Sequence, residues 1–74
     1  MSSRKNLEKE IAIVEGEILE LESKRIRSMA ALVEALISKR EPEEKDMHFF
    51  RQYTAEIDIK RAKLADMIER LKLM

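Results

Sequence analysis

Apolar residues recur at alternating steps of three and four in both halves of the chain. Such spacing places side chains along one face of an α-helix and is typical of helices that pack lengthwise against each other. In the first half the positions are Leu7, Ile11, Val14, Ile18, Leu21, Arg25, Ser28 and Leu32. In the second half they are Met47, Phe50, Thr54, Ile57, Arg61, Leu64, Ile68 and Leu71. We therefore predict two long helices, each with a seam that contacts the other helix.

The boundary between the two helices is predicted at Pro42, the single proline of the chain. Residues 39–44 read KREPEE, so bases close one segment and acids open the next. This order complements the dipole of a helix that ends and of one that begins, and proline suits the first turn of a helix. The alternative is one continuous helix with a kink at the proline.

These signals predict a single helical-hairpin domain that spans the whole chain. Helix 1 is expected at about residues 4–40, the turn at about 41–42 and helix 2 at about 43–73. Ser2 or Ser3 is expected to cap helix 1, because a serine hydroxyl can accept a hydrogen bond from a free backbone N–H of the first turn.

A fold at residue 41 also predicts how the two seams meet. In an antiparallel pair, facing residues then have numbers that sum to about 82. The resulting layers are Ile11 with Leu71, Val14 with Ile68, Ile18 with Leu64, Leu32 with Phe50, and the polar pair Ser28 with Thr54. Since neither seam was assigned from this register, the agreement supports an antiparallel hairpin.

Two layers of this register contain an arginine, at Arg25 and Arg61. A long arginine stem can lie over an apolar seam while its charge reaches solvent, and Glu22 and Asp58 are close enough to pair with these charges. We interpret the arginines as residues that exclude slipped pairings. Binding of an anionic ligand is the alternative interpretation.

Helix 1 has a second apolar stripe beside its seam. It consists of Ala12, Gly16, Leu19, Ser23, Ile26, Ala30, Val33 and Ile37. Small residues at a helix contact allow a close approach of backbones, and a packed neighbour would explain the glycine better than a tolerated exposed glycine does. A continuous apolar stripe on a surface is typical of an interaction site.

Other apolar residues extend this surface. Met29 and Leu36 widen the face of helix 1 near the turn, and Phe49, Tyr53 and Met67 flank the seam of helix 2. We predict that these five residues and the second stripe form a partner or oligomer interface. The predicted fold class is therefore all-α, an antiparallel, coiled-coil-like two-helix hairpin that assembles into a four-helix bundle as a dimer.

Composition narrows the possible functions. The chain has 74 residues, no cysteine, 41% charged residues and equal numbers of acids and bases. So short a chain without disulfides usually needs a second subunit. Zero net charge disfavours a nucleic-acid-binding domain. The absence of cysteine, of a signal peptide and of a membrane span favours a cytoplasmic protein.

The sequence offers little chemistry for catalysis. His48 is the only histidine, and Glu44 lies one turn before it. This single pair falls short of the repeated Glu-x-x-His elements of di-iron bundles, so we interpret the histidine as a solvated surface residue. With no glycine-rich phosphate loop and no activated nucleophile, we expect no catalytic, cofactor-binding or metal-binding residues and therefore no enzyme.

Two functions are the main hypotheses. The first is a small protein–protein interaction module, a self-associating hairpin that acts as an adaptor or regulator. The second is an obligate partner or small chaperone subunit for another helical protein, for example of a secretion system. A nucleic-acid-binding hairpin is a weaker third hypothesis, and its affinity would fall steeply with salt.

Overall fold

The chain folds into two antiparallel helices. In the computed structural model, which describes residues 3–74, these are α1 (Ser3–Ile37) and α2 (Glu44–Lys72), and residues 3–74 contain no β-strand. They pack side by side into a rod of 58 × 15 × 14 Å. At 1.5 Å per residue α1 alone is about 52 Å long, so the rod is little longer than one helix. The predicted all-α hairpin is confirmed, and one continuous kinked helix is wrong.

Helix α1 ends earlier than predicted, at Ile37 rather than near residue 40. The backbone N–H of Arg40 donates to the carbonyl of Ala35 (2.8 Å), and that of Lys39 donates to Leu36 (3.1 Å). This pair of bonds is the Schellman arrangement, which requires a left-handed residue after the helix. Lys39 has that conformation, with φ of 56°.

Helix α2 begins after an extended residue. Glu43 has φ of −66° and ψ of 138°, and its carbonyl accepts hydrogen bonds from the N–H groups of Asp46 (3.1 Å) and Met47 (3.2 Å). Pro42 therefore lies before the N-cap and not in the first turn of the helix. The connection spans residues 38–43, longer than the predicted 41–42, because the Schellman arrangement and the proline each take residues out of the helices.

The two ends of α2 carry opposite charges. Acids occupy the first turn of α2 and bases its last turn, which complements the helix dipole. At the start of α1, Ser2 lies outside the described residues, and Ser3 is the first residue of the helix rather than the residue before it.

The core is a single row of side chains between the helices. Ile57 and Met67 are fully buried, each 0% exposed, and lie opposite the buried seam of α1. Partly buried side chains pack around them at Ile11, Tyr53, Leu64 and Leu71. The buried apolar residues among those described are Leu7, Val14, Ile18, Leu21, Ala35, Ile57 and Met67.

The predicted seam of α2 needs a correction. Arg61 and Ile68 were expected between the helices, but both are exposed. Met67 is buried in place of Ile68, and Lys60 is half-buried in place of Arg61. The core-facing stripe of α2 therefore keeps Leu64 and Leu71, but at the two positions between Ile57 and Leu71 that alternate with Leu64 the preceding residue faces α1.

Two ion pairs across the hairpin accompany this change. Lys60 Nζ lies 3.5 Å from Glu17 Oε1, and Arg61 Nη2 donates to Glu22 Oε1 at 2.8 Å. The expected pairing of Glu22 with an arginine is confirmed. Because the groups are partly exposed, each pair contributes at most about 1 kcal/mol. Their main effect is on register, since a helix rotated to bury Arg61 would move both cations from their carboxylates.

Lys39 generates a prediction about stability. Lys39→Gly is expected to stabilise the hairpin by about 1 kcal/mol, because glycine adopts the left-handed conformation without the steric cost of a Cβ atom. Urea denaturation followed by circular dichroism, at one fixed protein concentration, measures the change. The matched control is Arg40→Gly, at a position outside the left-handed region, where the added freedom of the unfolded chain should destabilise. A loss of stability in both variants would contradict the assignment.

Candidate protein-interaction face

The second apolar stripe of α1 is exposed along its whole length. We call it the outer face of α1. Its large side chains are open to solvent, with Leu19 68%, Ile26 62% and Ile37 77% exposed. The outer face of α1 consists of Ala12, Gly16, Leu19, Ser23, Ile26, Ala30, Val33 and Ile37.

This face points away from α2. Leu19 follows the buried Val14 by five residues, and Ile26 follows the buried Leu21 by the same step. At about 100° per residue, five residues turn the helix through about 140° beyond a full rotation. The outer face therefore lies nearly opposite the core, rather than immediately beside it, and α2 cannot cover it.

Larger side chains widen the outer face near the turn. Met29 and Leu36 are exposed at its border, as predicted from the sequence. A shallow apolar groove of about 370 Å³ follows the helix there. Its lining is Ile26, Met29, Ala30, Val33, Glu34 and Ile37. A groove with this lining can hold an apolar side chain or a helix ridge, but it has few polar groups to orient a small polar ligand.

Gly16 has open space beside it. A Cβ atom built at this position would meet no heavy atom of the described residues within 4 Å. Contacts within the hairpin therefore do not explain a glycine in the middle of a long helix, where it costs about 1 kcal/mol relative to alanine.

The predicted interface residues of α2 do not join the outer face. Phe49 is partly exposed, and its ring stacks on that of Tyr53 with centroids 6.1 Å apart. Tyr53 is half-buried and packs against the core. Met67 is fully buried, so its assignment to an exposed interface is corrected: its long, flexible side chain fills the space between the helices. Periodicity gave no signal for this, because 57, 61, 64, 68 and 57, 60, 64, 67 both alternate steps of three and four.

The hairpin exposes more surface than a compact protein of its mass. Its accessible area is 5867 Å², whereas a globular monomer of 8.7 kDa exposes about 4,700 Å². Two helices form only one shared interface, so every other face remains in solvent. An interface of standard size removes about 800 Å² from each partner, which is comparable with this excess.

A mostly polar depression lies beside the turn. Glu44 and His48 line it together with Met47 and Arg51. Within residues 3–74 no group of three or more His, Asp or Glu side chains is arranged to hold a metal ion. Neither described helix combines the length and hydropathy needed to span a bilayer.

No protein-family model matches this sequence, and neither a curated protein nor a solved structure is significantly similar to it. The fold and the exposed face together define a helical hairpin with one open apolar side.

Two neighbouring residues test the division of α1 into two faces. Ile18 is 6% exposed and Leu19 is 68% exposed. Ile18→Asp is expected to abolish the hairpin, because it places a carboxylate in the core of a chain with few other buried residues. At protein concentrations low enough to keep the chain monomeric, Leu19→Asp should cost at least about 2 kcal/mol less, since its charge then remains in water. Urea denaturation followed by circular dichroism measures both losses, and equal losses would show that the two faces are not distinct.

Proposed function

We propose that this protein is a non-catalytic protein–protein interaction module whose hairpin associates with a second copy through the outer face of α1. The observation that carries the proposal is the continuous exposed apolar stripe on the side of α1 that α2 cannot reach. The dimer contains four helices, and its remaining polar surface serves as an adaptor or regulator of other proteins.

The energetics of a small chain support self-association. The described core is one row of side chains, and the chain has no cysteine for a disulfide. A domain of this size gains little net stability from its own core, so oligomerisation is a common additional source. Covering the outer face would bury Leu19, Ile26 and Ile37, each of which can contribute about 1.5–3 kcal/mol when fully removed from water.

The competing function uses the same face for a different partner. A helix of another protein could occupy the groove between Ile26 and Ile37, as expected of an obligate subunit or a small chaperone. The exposed apolar surface there favours this idea, because amphipathic helices bind partners through their apolar faces. The two functions differ in whether the purified chain associates with itself.

An arginine in the outer face tests the proposal. Ala30→Arg is expected to halve the solution mass measured by light scattering, because a charged side chain replaces a small one in the interface. Arginine is a good helix former, so the variant should keep its helical circular dichroism at low temperature. The matched control is Ala62→Arg, the same change at an exposed position of α2, which should leave the mass of the dimer unchanged.

Each outcome has a distinct meaning. A dimer in the control and a monomer in the Ala30→Arg variant would support self-association through the outer face. A dimer that persists in the Ala30→Arg variant would place the interface elsewhere. An unsubstituted chain that is monomeric at all concentrations would overturn self-association and leave the heterologous partner as the remaining function.

A further inference from the structure

The spacing of the residues in the outer face of α1 is symmetric about its midpoint. From Ala12 to Ile37 its residues follow steps of four and three in alternation, and the steps from Ile37 back to Ala12 are identical. A two-fold symmetric dimer needs a surface that is complementary to itself. An antiparallel second copy of α1 would meet this face position by position.

The sizes of the side chains are complementary in the same register. When Ala12 lies opposite Ile37 of the second copy, every layer pairs a small residue with a large one. The layers are Ala12 with Ile37, Gly16 with Val33, Leu19 with Ala30, and Ser23 with Ile26, each present twice by symmetry. We infer that the dimer forms by antiparallel packing of α1 on α1 in this register, an inference that rests on the proposed self-association.

Registers shifted by one heptad have three layers instead of four, and one of those three is mismatched. A shift of one heptad in one direction places Ala12 opposite Ala30 of the second copy, and a shift in the other direction places Leu19 opposite Ile37. The first leaves a gap between two small residues, and the second crowds two large ones. A parallel dimer would place Gly16 against Gly16 and Leu19 against Leu19. Interiors pack at high density, so both gaps and crowding are destabilising.

Charges beside the outer face favour the same register. Glu20 and Arg27 are exposed and follow the interface residues Leu19 and Ile26. In the inferred register Glu20 lies beside Arg27 of the second copy, again twice by symmetry. Shifts of one heptad would instead bring Glu20 beside Glu20, or Arg27 beside Arg27. Such pairs at the rim contribute little affinity but discriminate between registers.

The position of the outer face also determines how the four helices are arranged. Because it lies about 140° from the core, the two α1 helices form the centre and each α2 lies on the outside. The helices then form a layer, which differs from the square four-helix bundle expected from the sequence. Gly16 would be explained by contact with Val33 of the second copy.

Disulfide cross-linking tests this arrangement, because the chain has no cysteine of its own. Leu19→Cys and Ala30→Cys chains with different affinity tags are mixed and oxidised. In the inferred register the two cysteines are opposite each other. Two copies of the same cysteine are separated by eleven residues, about 16 Å along the helix, whereas a disulfide requires Cα atoms within about 7 Å.

The disulfide between the two different variants is expected to be nearly the only covalent product. Random collision would instead make it about half of all covalent products. Leu19→Cys mixed with Ile37→Cys is the register control and should not cross-link. If circular dichroism shows that Leu19→Cys or Ala30→Cys is unfolded, Gly16→Cys with Val33→Cys serves as the replacement pair.

Two results would overturn the inference while the proposed self-association stands. One is a dimer by light scattering in which each cysteine variant cross-links to itself, as a parallel arrangement requires. The other is such a dimer in which Leu19→Cys cross-links with Ile37→Cys but not with Ala30→Cys. A monomeric unsubstituted chain would overturn both the inference and the proposed function.

Discussion

Helix α1 carries apolar residues on two nearly opposite sides, and α2 can cover only one of them. Val14 and Ile18 face α2 and are buried, while Leu19 and Ile26 face away and are exposed. The hydrophobic effect favours removal of both stripes from water. Residues 3–74 contain no third element that covers the outer stripe, so only a second molecule could remove it from water.

The hairpin itself depends on a small number of local features. The Schellman arrangement at Lys39 ends α1, and Pro42 separates it from α2. Ion pairs of Lys60 with Glu17 and of Arg61 with Glu22 connect the two helices. None of these is worth more than a few kcal/mol, but a small domain has only a narrow margin of stability, and a second interface would widen it.

The sequence predicted the two helices, the antiparallel hairpin and the burial of the α1 seam from Leu7 to Leu21, because a period of three and four residues is a strong signal for a packed helix. It did not predict which of two neighbouring residues on α2 would be buried. Met67 and Ile68 are both apolar, and each fits a spacing of three and four from Ile57, so periodicity does not decide between them. The turn was predicted too short because Lys39 gives no local sign of a left-handed conformation, which glycine would have given.

The interaction surface was also predicted only in part from the sequence. The exposed stripe of α1 followed from periodicity alone, whereas the assignment of Met67 to an interface was wrong because helix rotation was unknown. The position of the stripe on the far side of α1 became clear only with the core defined. That position makes the outer face a separate surface rather than an extension of the seam.

The most direct test of the account is the thermal melt of the unsubstituted chain across a wide range of protein concentrations, with the solution mass measured at each. If a second copy covers the outer face of α1, the mass should be twice the 8.7 kDa of one chain, and the melting temperature should rise with concentration. A chain that stays monomeric and melts cooperatively at one temperature throughout would show that the hairpin is stable with its outer face in water, and would contradict the account.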